Sequence, residues 1–524
     1  MTAEPPFEWS RDEMIRHGEA TLRQIGDYFE DIRERPITVD ITTDAMMKIL
    51  DDPPPETAED FDAILTDTMV RVVPYLGHWN HPRFHGYFSI SGSYPAALAE
   101  LFCAAVNVNT MMWQTAPAAA ALETIVLRWI AGFVGYPQDS EGVIVPGASL
   151  ATFYAFIAAR ELASPTDVSG YAETGAALRI YASDQAHSSV EKAARALGVG
   201  SENLVRISSG DDYRLRPEAL HDALDADRCA GFIPLAVVGT VGTTATGAVD
   251  PLDEIATICA EQDVWLHVDA AYGGLWALLP EVHQEVGSLS RADSLVVNPH
   301  KGLFAPLGTS CLYCRERGRL TRAFRLVPGY LQSAASEFES DYMDRTLQLG
   351  RGFKALPLWW IIRSYGLTRI RDHFRTMMSL ARWLEERLDH HPAFVRPAVS
   401  IYPLVTLRYV PKSERDAHME RHEANRISPT RDAQNLEFKR RVNATGKTFI
   451  TDAPLHDGQA IRVSLGNIRT TRQDVVDLWK IFEEVAADLD SDFARPGQVS
   501  REGAGTHANA RDSPENRIPQ PDRP

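Results

Sequence analysis

The chain has 524 residues, of which 44% are hydrophobic and 24% are charged, a composition typical of a globular enzyme with two or three domains. Its 53 basic and 71 acidic residues give a formal net charge of −18, which argues against nucleic acid or an anionic membrane as a partner. Five cysteines do not suggest a disulfide framework, and no apolar run approaches the ~20 residues of a membrane span. Because the N-terminus lacks the basic and apolar segments of a signal peptide, we expect a cytoplasmic protein.

Residues 1–95 are predicted to form an N-terminal helical arm. Apolar residues recur at helical spacing from about residue 8 to residue 34 and again from Thr57 to Val73, with Pro53–Pro55 as an extended connector between them. Such an arm packs either against its own chain or against a partner subunit, and the sequence leaves both open. The aromatic, His-rich stretch Gly77–Phe88 that follows has no helical period and is predicted to be a wall of a substrate pocket.

Residues 96–385 are predicted to form a large domain. Two apolar helices, Tyr94–Ala105 and Pro117–Phe133, precede a region where short apolar runs alternate with helical patterns. This alternation is typical of an α/β fold with a mainly parallel sheet that is covered on both faces. The predicted strands are Gly142–Val145, Arg179–Ala182, Leu204–Ile207, Ile233–Val238, Val264–Val268, Ser294–Val297 and Thr309–Tyr313.

Residues 386–493 are predicted to form a smaller C-terminal α+β domain. Charge is dense over residues 411–431, which predicts an exposed excursion, and residues 494–524 have the composition of a disordered tail. The elements predicted in and just before this domain are helices Gly352–Tyr365 and Leu367–His390, strands Leu404–Tyr409 and Ala460–Ser464, and a final helix from Arg472 to about Leu489.

The stretch from His267 to Gly302 carries the first chemical signal. One predicted strand runs into Asp269 and the next runs into Asn298, followed closely by Lys301. Ligands bind outside the carboxyl ends of the strands in open α/β sheets. A carboxylate that keeps a pyridinium nitrogen protonated, together with an amine that forms a Schiff base, suggests pyridoxal phosphate (PLP). Since surface lysines are common, the pair needs support from elsewhere in the chain.

Three further segments have polar or small residues where a strand runs into a helix or a turn. Pro146–Thr152 opens a helix with small residues, and such a helix start favours an anion such as phosphate. Asp184–Lys192 contains His187, which can stack on a flat cofactor or steer a carboxylate. Gly242–Pro251 offers turn hydroxyls to cofactor oxygens. The competing explanations are an ordinary strand–helix turn, a helix-start histidine and a plain turn.

No metal site is predicted. Cys311 and Cys314 lie three apart on a predicted strand, so they face opposite sides, and no second pair accompanies them. The histidines His78, His81 and His85 have no acidic or cysteine partner at ligand spacing.

Taken together, the motifs resemble those of the group II PLP-dependent decarboxylases, typified by aromatic-L-amino-acid decarboxylase. The resemblance covers roughly residues 8–490, and its motifs occur in the family's order. It implies the PLP-dependent transferase-like fold of the aspartate aminotransferase type (type I). The segments that carry it are His78-Trp79, His81-Pro82-Arg83-Phe84, Asp184-Gln185-Ala186-His187-Ser188-Ser189, His267-Val268-Asp269-Ala270-Ala271-Tyr272 and Asn298-Pro299-His300-Lys301.

The resemblance also implies roles for individual residues. Lys301 would hold the cofactor covalently, Asp269 would pair with its ring nitrogen and His187 would stack over its ring. Asp250 and His267 fall at family positions near the cofactor. The remaining implied cofactor contacts are Ala148 and Ser149 at the phosphate, Thr244, Ala271 on the other ring face, and Asn298 and His300 beside the phosphate and Lys301.

The implied reaction is decarboxylation of an L-amino acid to an amine and CO₂. Tyr330, in the segment Leu326–Leu331, falls at the position of the family's catalytic loop tyrosine, and closure of that loop would exclude water. Related aldehyde synthases typically lack either this tyrosine or the stacking histidine. Both Tyr330 and His187 are present, so decarboxylation is favoured over aldehyde formation. An aminotransferase is a further alternative; it would normally carry a carboxylate-binding arginine in the C-terminal domain, and Arg462 or Arg469 could be misread as that residue.

The substrate is predicted to be an aromatic amino acid, and the family implies a homodimer whose pockets draw on both subunits. Ile90 replaces a threonine of catechol-binding members, and Gly302 replaces their usual tryptophan. The alternative is an acidic substrate (glutamate, aspartate or cysteine sulfinate), for which Arg83 or His85 would supply the positive charge. The predicted pocket residues are Trp79, Tyr87, Phe88, Ile90, Asn109 and Met111.

Overall fold

The computed structural model describes residues 7–163, 177–325, 341–415 and 429–493. The N-terminal arm contains helices α1 (Arg11–Glu30), α2 (Thr43–Leu50) and α3 (Phe61–Asp67). Helix α1 begins at a capping box in which Ser10 and Glu13 bond each other's backbone N–H groups. The predicted second helix, from Thr57 to Val73, is shorter and continues from α3 as one π-helical turn over Thr68–Val72.

The large domain is built on a seven-stranded sheet. Its strand order is β1-β7-β6-β5-β4-β2-β3, and every strand is parallel to its neighbours except β7, which runs antiparallel to both β1 and β6. The prediction of a mainly parallel sheet is therefore confirmed. The strands are β1 (Glu141–Val145), β2 (Leu178–Ser183), β3 (Leu204–Ile207), β4 (Ile233–Thr240), β5 (Trp265–Asp269), β6 (Ser294–Val297) and β7 (Ser310–Cys314).

Helices cover this sheet and connect its strands. Strands β1, β5, β6 and β7 are buried at every residue, which is why they are written as continuous apolar runs rather than alternating patterns. The helices are α4 (Tyr94–Val106), α5 (Pro117–Val134), α6 (Ala148–Ala163), α7 (Ser189–Ala196), α8 (Pro217–Cys229), α9 (Leu252–Glu261), α10 (Pro280–His283), α11 (Pro299–Gly302), α12 (Arg319–Phe324) and α13 (Ala355–His390).

Helix α5 is long and apolar enough, by length and composition, to cross a membrane. Eight of its 18 residues are buried inside the protein, and one of these is Glu123, which pairs with Arg351. Burial in the domain core accounts for the apolar composition of this helix.

The small C-terminal domain has a four-stranded antiparallel sheet in the order β10-β11-β9-β8. Strand β9 matches its prediction, whereas β8 and β10 have no predicted counterpart: β8 has two residues, and β10 contains a proline. The elements are β8 (Phe394–Val395), β9 (Leu404–Tyr409), α14 (Lys412–Arg415), α15 (Pro429–Ala444), β10 (Thr451–Leu455), β11 (Gly458–Ser464) and α16 (Arg472–Phe493).

The predicted domain limits at 95/96 and 385/386 fall inside α4 and α13. Helix α13 is interrupted at Gly366, whose φ of +67° is not helical, in agreement with the two helices predicted there. The charged excursion is not exposed at its far end, because Arg431 is buried and paired with Glu414. Residues 416–428 of that excursion and the predicted tail, 494–524, lie outside the described residues.

Candidate active site

The carboxyl ends of β1, β2, β4, β5 and β6 meet around one cavity of about 310 Å³. Each predicted chemical segment follows one of these strands, so the sheet brings together residues that are far apart in the chain. The predicted residues that line the cavity are Ala148, Ser149, His187, Thr244, Asp269, Ala271, Asn298, His300, Lys301 and Phe88.

Lys301 lies on α11, one short turn after β6, and its amine lies over an aromatic ring. Its Nζ lies 4.7 Å from the centre of the Phe88 ring. Burial and the charge of Arg462 lower the pKa of Lys301 to about 8, while Asp269 opposes the shift. A substantial fraction of the amine is therefore neutral near pH 8, and the neutral amine is the form that attacks an aldehyde.

Asp269 is the last residue of β5, and its carboxylate lines the same cavity. The residue is 7% exposed, and its Oδ1 accepts a hydrogen bond from the N–H of Ala271 at 3.1 Å. This bond fixes the carboxylate at the strand end and places Ala271 next to it. A fixed carboxylate in this position can keep a ring nitrogen protonated.

The predicted phosphate-binding turn connects β1 to α6, and α6 begins at Ala148. Gly147 precedes the helix with a φ of +118°, a conformation that favours glycine. Ser149, in the first turn, is exposed to the cavity. Across the cavity Gly242 has a φ of +86°, and a side chain there would meet the ring of Tyr272 at 2.9 Å. Gly242 therefore lets this turn pack closely against Tyr272, and Gly147 gives the start of α6 its positive φ.

Asn298 and His300 form a buried polar pair. The Nδ1–H of His300 donates to the carbonyl of Thr309 at 2.7 Å, so the neutral ring presents Nε2 as an acceptor, 3.4 Å from Asn298 Nδ2. Burial and the charge of Lys301 lower the pKa of His300 to about 4, which leaves it uncharged at neutral pH.

Two buried oxygens at this cavity, Asn298 Oδ1 and Thr240 Oγ1, have no hydrogen-bond partner among the described residues. Buried polar atoms are normally satisfied, so such a pair indicates a polar ligand. Together with the carboxylate, the amine and the glycine-lined helix start, they fit PLP.

His187 lies between β2 and α7, with part of its ring open to the cavity. The N–H of Ser189 donates to its Nδ1 at 3.1 Å, so the neutral ring carries its proton on Nε2. Partial burial and the charges of Lys301 and Lys192 lower the pKa of His187, although Asp269 opposes the shift. The histidine therefore offers a neutral ring and an N–H donor.

Asp250 and His267 do not line the cavity. Asp250 is fully buried and accepts hydrogen bonds from the N–H groups of Leu215 and Thr240, each at 2.8 Å, which fixes the end of β4. Burial raises its pKa to about 6. His267 is also buried, with Nδ1 2.9 Å from Ser294 Oγ. Both residues stabilise the strands around the cavity through hydrogen bonds without facing the cavity themselves.

Of the residues predicted for the substrate wall, Phe88 alone lines the cavity. Phe88 lines the cavity and stacks on Tyr272 with ring centres 3.9 Å apart. Trp79 and Tyr87 stack on each other at 5.3 Å outside it. The residues predicted for this wall that do not line the cavity of their own chain are Trp79, Tyr87, Ile90, Asn109 and Met111, and Tyr330 lies outside the described residues.

The structure adds Arg462, on β11 of the small domain. It is 4% exposed, its guanidinium carbon lies 4.6 Å from the centre of the Phe88 ring, and it donates to the carbonyl of Thr244. Its Nε has no partner among the described residues. The sequence suggested Arg462 only as an aminotransferase residue. The available sequence signal was an arginine between the apolar residues Ile461 and Val463 of a predicted strand.

Gly302 does not enlarge the pocket. A side chain at this position would meet Leu275 at 3.2 Å, so Leu275 fills the space next to the glycine. Leu275 therefore packs where a larger side chain at position 302 would begin.

Comparisons with known proteins agree with this geometry. Residues 44–410 match the family model described as the pyridoxal-dependent decarboxylase conserved domain. The chain is 32% identical to phenylacetaldehyde synthase of Arabidopsis thaliana, over 91% of this chain and 96% of that protein. It is 31% identical to tryptophan decarboxylase 2 of Oryza sativa subsp. japonica, over 92% of this chain and 97% of that protein.

A solved structure shows the same fold. The crystal structure of Oryza sativa TDC with PLP and tryptamine is 28% identical and has a TM-score of 0.86, covering 93% of this chain and all of that one. The chain therefore belongs to the pyridoxal-dependent decarboxylase family and has the fold predicted from its motifs. It is a PLP-dependent carboxy-lyase.

Proposed function

We propose that the protein removes the α-carboxylate of an aromatic L-amino acid and releases the amine. The observation that supports the chemistry is the single cavity that holds both the low-pKa amine of Lys301 and the carboxylate of Asp269. The stacked pair of Phe88 and Tyr272 supports an aromatic side chain, because it gives the cavity a flat apolar wall.

PLP, when bound, supplies the electron sink for the electrons left after loss of CO₂. Lys301 would anchor the cofactor, and Asp269 would hold the proton on its ring nitrogen. His187, with its Nε2–H, would cover the ring and donate to the substrate carboxylate. The N–H groups that begin α6 at Ala148 and Ser149 would bind the phosphate. Tyr330 remains the proposed proton donor to Cα.

Arg462 is proposed as the positive charge that orients the substrate carboxylate. Its Nε, which has no partner in the part of the chain that the structure describes, and its position beside Phe88 support this role. Neither of the two cations considered for an acidic substrate, Arg83 and His85, offers a free positive charge. Arg83 is paired with Asp474 and Asp477 at 3.1 and 3.0 Å, and burial lowers the pKa of His85 to about 4.

We further propose a cytoplasmic homodimer. All five cysteines are free, as expected in a reducing compartment. Large apolar side chains are exposed on the arm and on α4, and a second copy of the chain would cover them. They include Met14, Ile15, Leu22, Ile25, Leu98, Leu101, Phe102 and Val106.

A substrate panel tests the proposed reaction. Purified holoenzyme is incubated with tryptophan, tyrosine, phenylalanine, histidine, glutamate, aspartate and cysteine sulfinate, and both CO₂ and amine are measured. We expect equal amounts of CO₂ and amine, with the highest kcat/KM for an aromatic substrate. A preference for an acidic substrate would contradict the proposed specificity.

Aldehyde synthesis is the second candidate, since one relative is an aldehyde synthase. Ammonia, aldehyde and hydrogen peroxide are therefore measured in the same reactions. If aldehyde and peroxide replace the amine, the reaction is oxidative and the proposal of simple decarboxylation is wrong.

A further inference from the structure

A buried ion pair, Glu123 with Arg351, lies beside the cavity's first strand and outside the cavity itself. Arg351 Nη2 lies 2.7 Å from Glu123 Oε1, and Nη1 lies 3.2 Å from Oε2. The two side chains are 5% and 2% exposed. The geometry is bidentate, with two parallel N–H···O bonds.

The same pair holds the strand that leads to the proposed phosphate turn. The N–H of Ile144 donates to Glu123 Oε1 at 3.0 Å, and Arg351 Nη2 donates to the Ile144 carbonyl at 2.9 Å. Strand β1 is an edge strand with β7 as its sheet neighbour, so the ion pair takes the place of a second strand at Ile144. Gly147 follows three residues later.

The backbone of Arg351 holds a second segment, which contains predicted substrate contacts. Its N–H donates to Asn109 Oδ1 at 3.1 Å. Its carbonyl accepts from the N–H of Thr110 at 2.9 Å and from the Thr110 hydroxyl at 3.2 Å. One residue therefore links the strand before the cofactor turn with the segment that carries Asn109 and Met111.

We propose that Arg351, held by its bidentate pair with Glu123, is a positioning residue that fixes the phosphate turn and the 109–111 segment relative to each other. A buried ion pair often stabilises a protein no more than apolar packing would, so stability alone does not account for this pair. The bonds from the pair to Ile144, Asn109 and Thr110 support a role in fixing geometry. The inference rests on the proposed function in one respect, namely that the turn at Gly147–Ser149 binds the cofactor phosphate.

The test is Arg351→Lys in the full-length holoenzyme. Lysine keeps the charge opposite Glu123 but cannot make the bidentate bond and reach the Ile144 carbonyl at the same time. We expect PLP to dissociate about tenfold faster. The variant loses one hydrogen bond between a charged group and the Ile144 carbonyl, and the phosphate turn that follows β1 is then held less firmly. We also expect a shifted phosphorus NMR signal of bound PLP and a higher KM. Retained cofactor is followed by absorbance after gel filtration.

Arg408→Lys is the matched control. Arg408 is a fully buried arginine of the small domain, with bonds to Asp457 at 3.0 and 2.7 Å and to the Gln459 carbonyl at 3.2 Å. Asp457 also accepts a hydrogen bond from Tyr213 of the large domain, and none of these residues lines the cavity. If this variant loses PLP as fast as Arg351→Lys at equal loss of Tm, the effect is general destabilisation and the inference is overturned. Wild-type PLP retention in a folded Arg351→Lys protein overturns it as well.

Two more variants separate the possible failures. If Arg351→Lys does not fold, Glu123→Gln carries the same prediction with a smaller effect, because glutamine keeps an acceptor for Ile144 but loses the charge. Gly147→Ala strains the turn directly. If Gly147→Ala retains PLP like the wild type, the phosphate turn is misassigned; if it loses PLP while Arg351→Lys does not, the positioning role alone fails.

Discussion

The cofactor side and the substrate side of the candidate site are assembled differently. On the cofactor side, Asp269, Lys301 and His187 lie at the ends of strands of one sheet and line one cavity. On the substrate side, Phe88 lines that cavity, whereas Asn109 and Met111 do not. The cofactor side is built by the sheet of a single chain, and the substrate side depends on irregular connections and on the proposed second chain.

The residues predicted to hold the cofactor therefore lie on the sheet, whereas most of those predicted to select the substrate lie on irregular segments. Strand ends are fixed by the hydrogen bonds of the whole sheet, so the residues predicted to hold the cofactor have rigid positions. The segment around Asn109 lies outside the sheet and is held by a few bonds to the backbone of Arg351, so its side chains can vary without disturbing the sheet as long as Arg351 keeps its place. We therefore expect changes on the two sides to have separable effects.

The largest expected effect is that of Lys301→Ala. Removing the amine should abolish turnover, because no other described lysine lines the cavity. Borohydride treatment of the wild type should attach the cofactor to the peptide containing Lys301, as read by mass spectrometry. Lys354→Ala, which removes a surface lysine paired with Glu100, is the control. Wild-type turnover in Lys301→Ala would contradict the assignment.

The next effect tests whether the substrate side is completed by a partner subunit. Met111→Trp should lower kcat/KM by up to about a hundredfold through steric exclusion, while PLP is retained. Co-expression of Met111→Trp with Lys301→Ala should then restore about a quarter of wild-type sites, since half of randomly formed dimers carry one intact site. Differently tagged subunits allow the mixed dimer to be purified and assayed. If the mixed dimer is as inactive as its parents, Met111 does not act across an interface.

The smallest expected effect is a shift in pH dependence. Since the folded pKa of Lys301 is lowered to about 8, its amine is protonated below that pH and neutral above it. The rate at which apoenzyme recombines with PLP should therefore rise with pH and reach half its maximum near pH 8. Arg462→Met should move this midpoint upward, because the charge of Arg462 lowers the pKa.

Stopped-flow absorbance measures the recombination rates. Arg469→Met is the control, because Arg469 contacts the ring of Phe29 at 4.0 Å and is not among the charges acting on Lys301. An unchanged midpoint in Arg462→Met would show that Arg462 does not act on the amine.

The sequence by itself determined the strands of the large domain and the residues at their ends. Buried parallel strands are continuous apolar runs, and polar or small residues at their carboxyl ends are visible without a structure. Asp269, Lys301, His187 and the turn before Ala148 could therefore be predicted, and all of them line one cavity. The resemblance to a known family supplied their roles, which remain predictions for this chain.

Tertiary structure alone decided which distant elements meet. The sheet order β1-β7-β6-β5-β4-β2-β3 is not the chain order, and periodicity reports burial but not neighbours. Arg462 of the small domain contacts the ring of Phe88, whereas Arg83 forms ion pairs with Asp474 and Asp477. Burial keeps His300 uncharged, and Glu123, which is 228 residues away in the sequence, anchors Arg351. These features depend on distances between side chains, and only the folded chain fixes such distances.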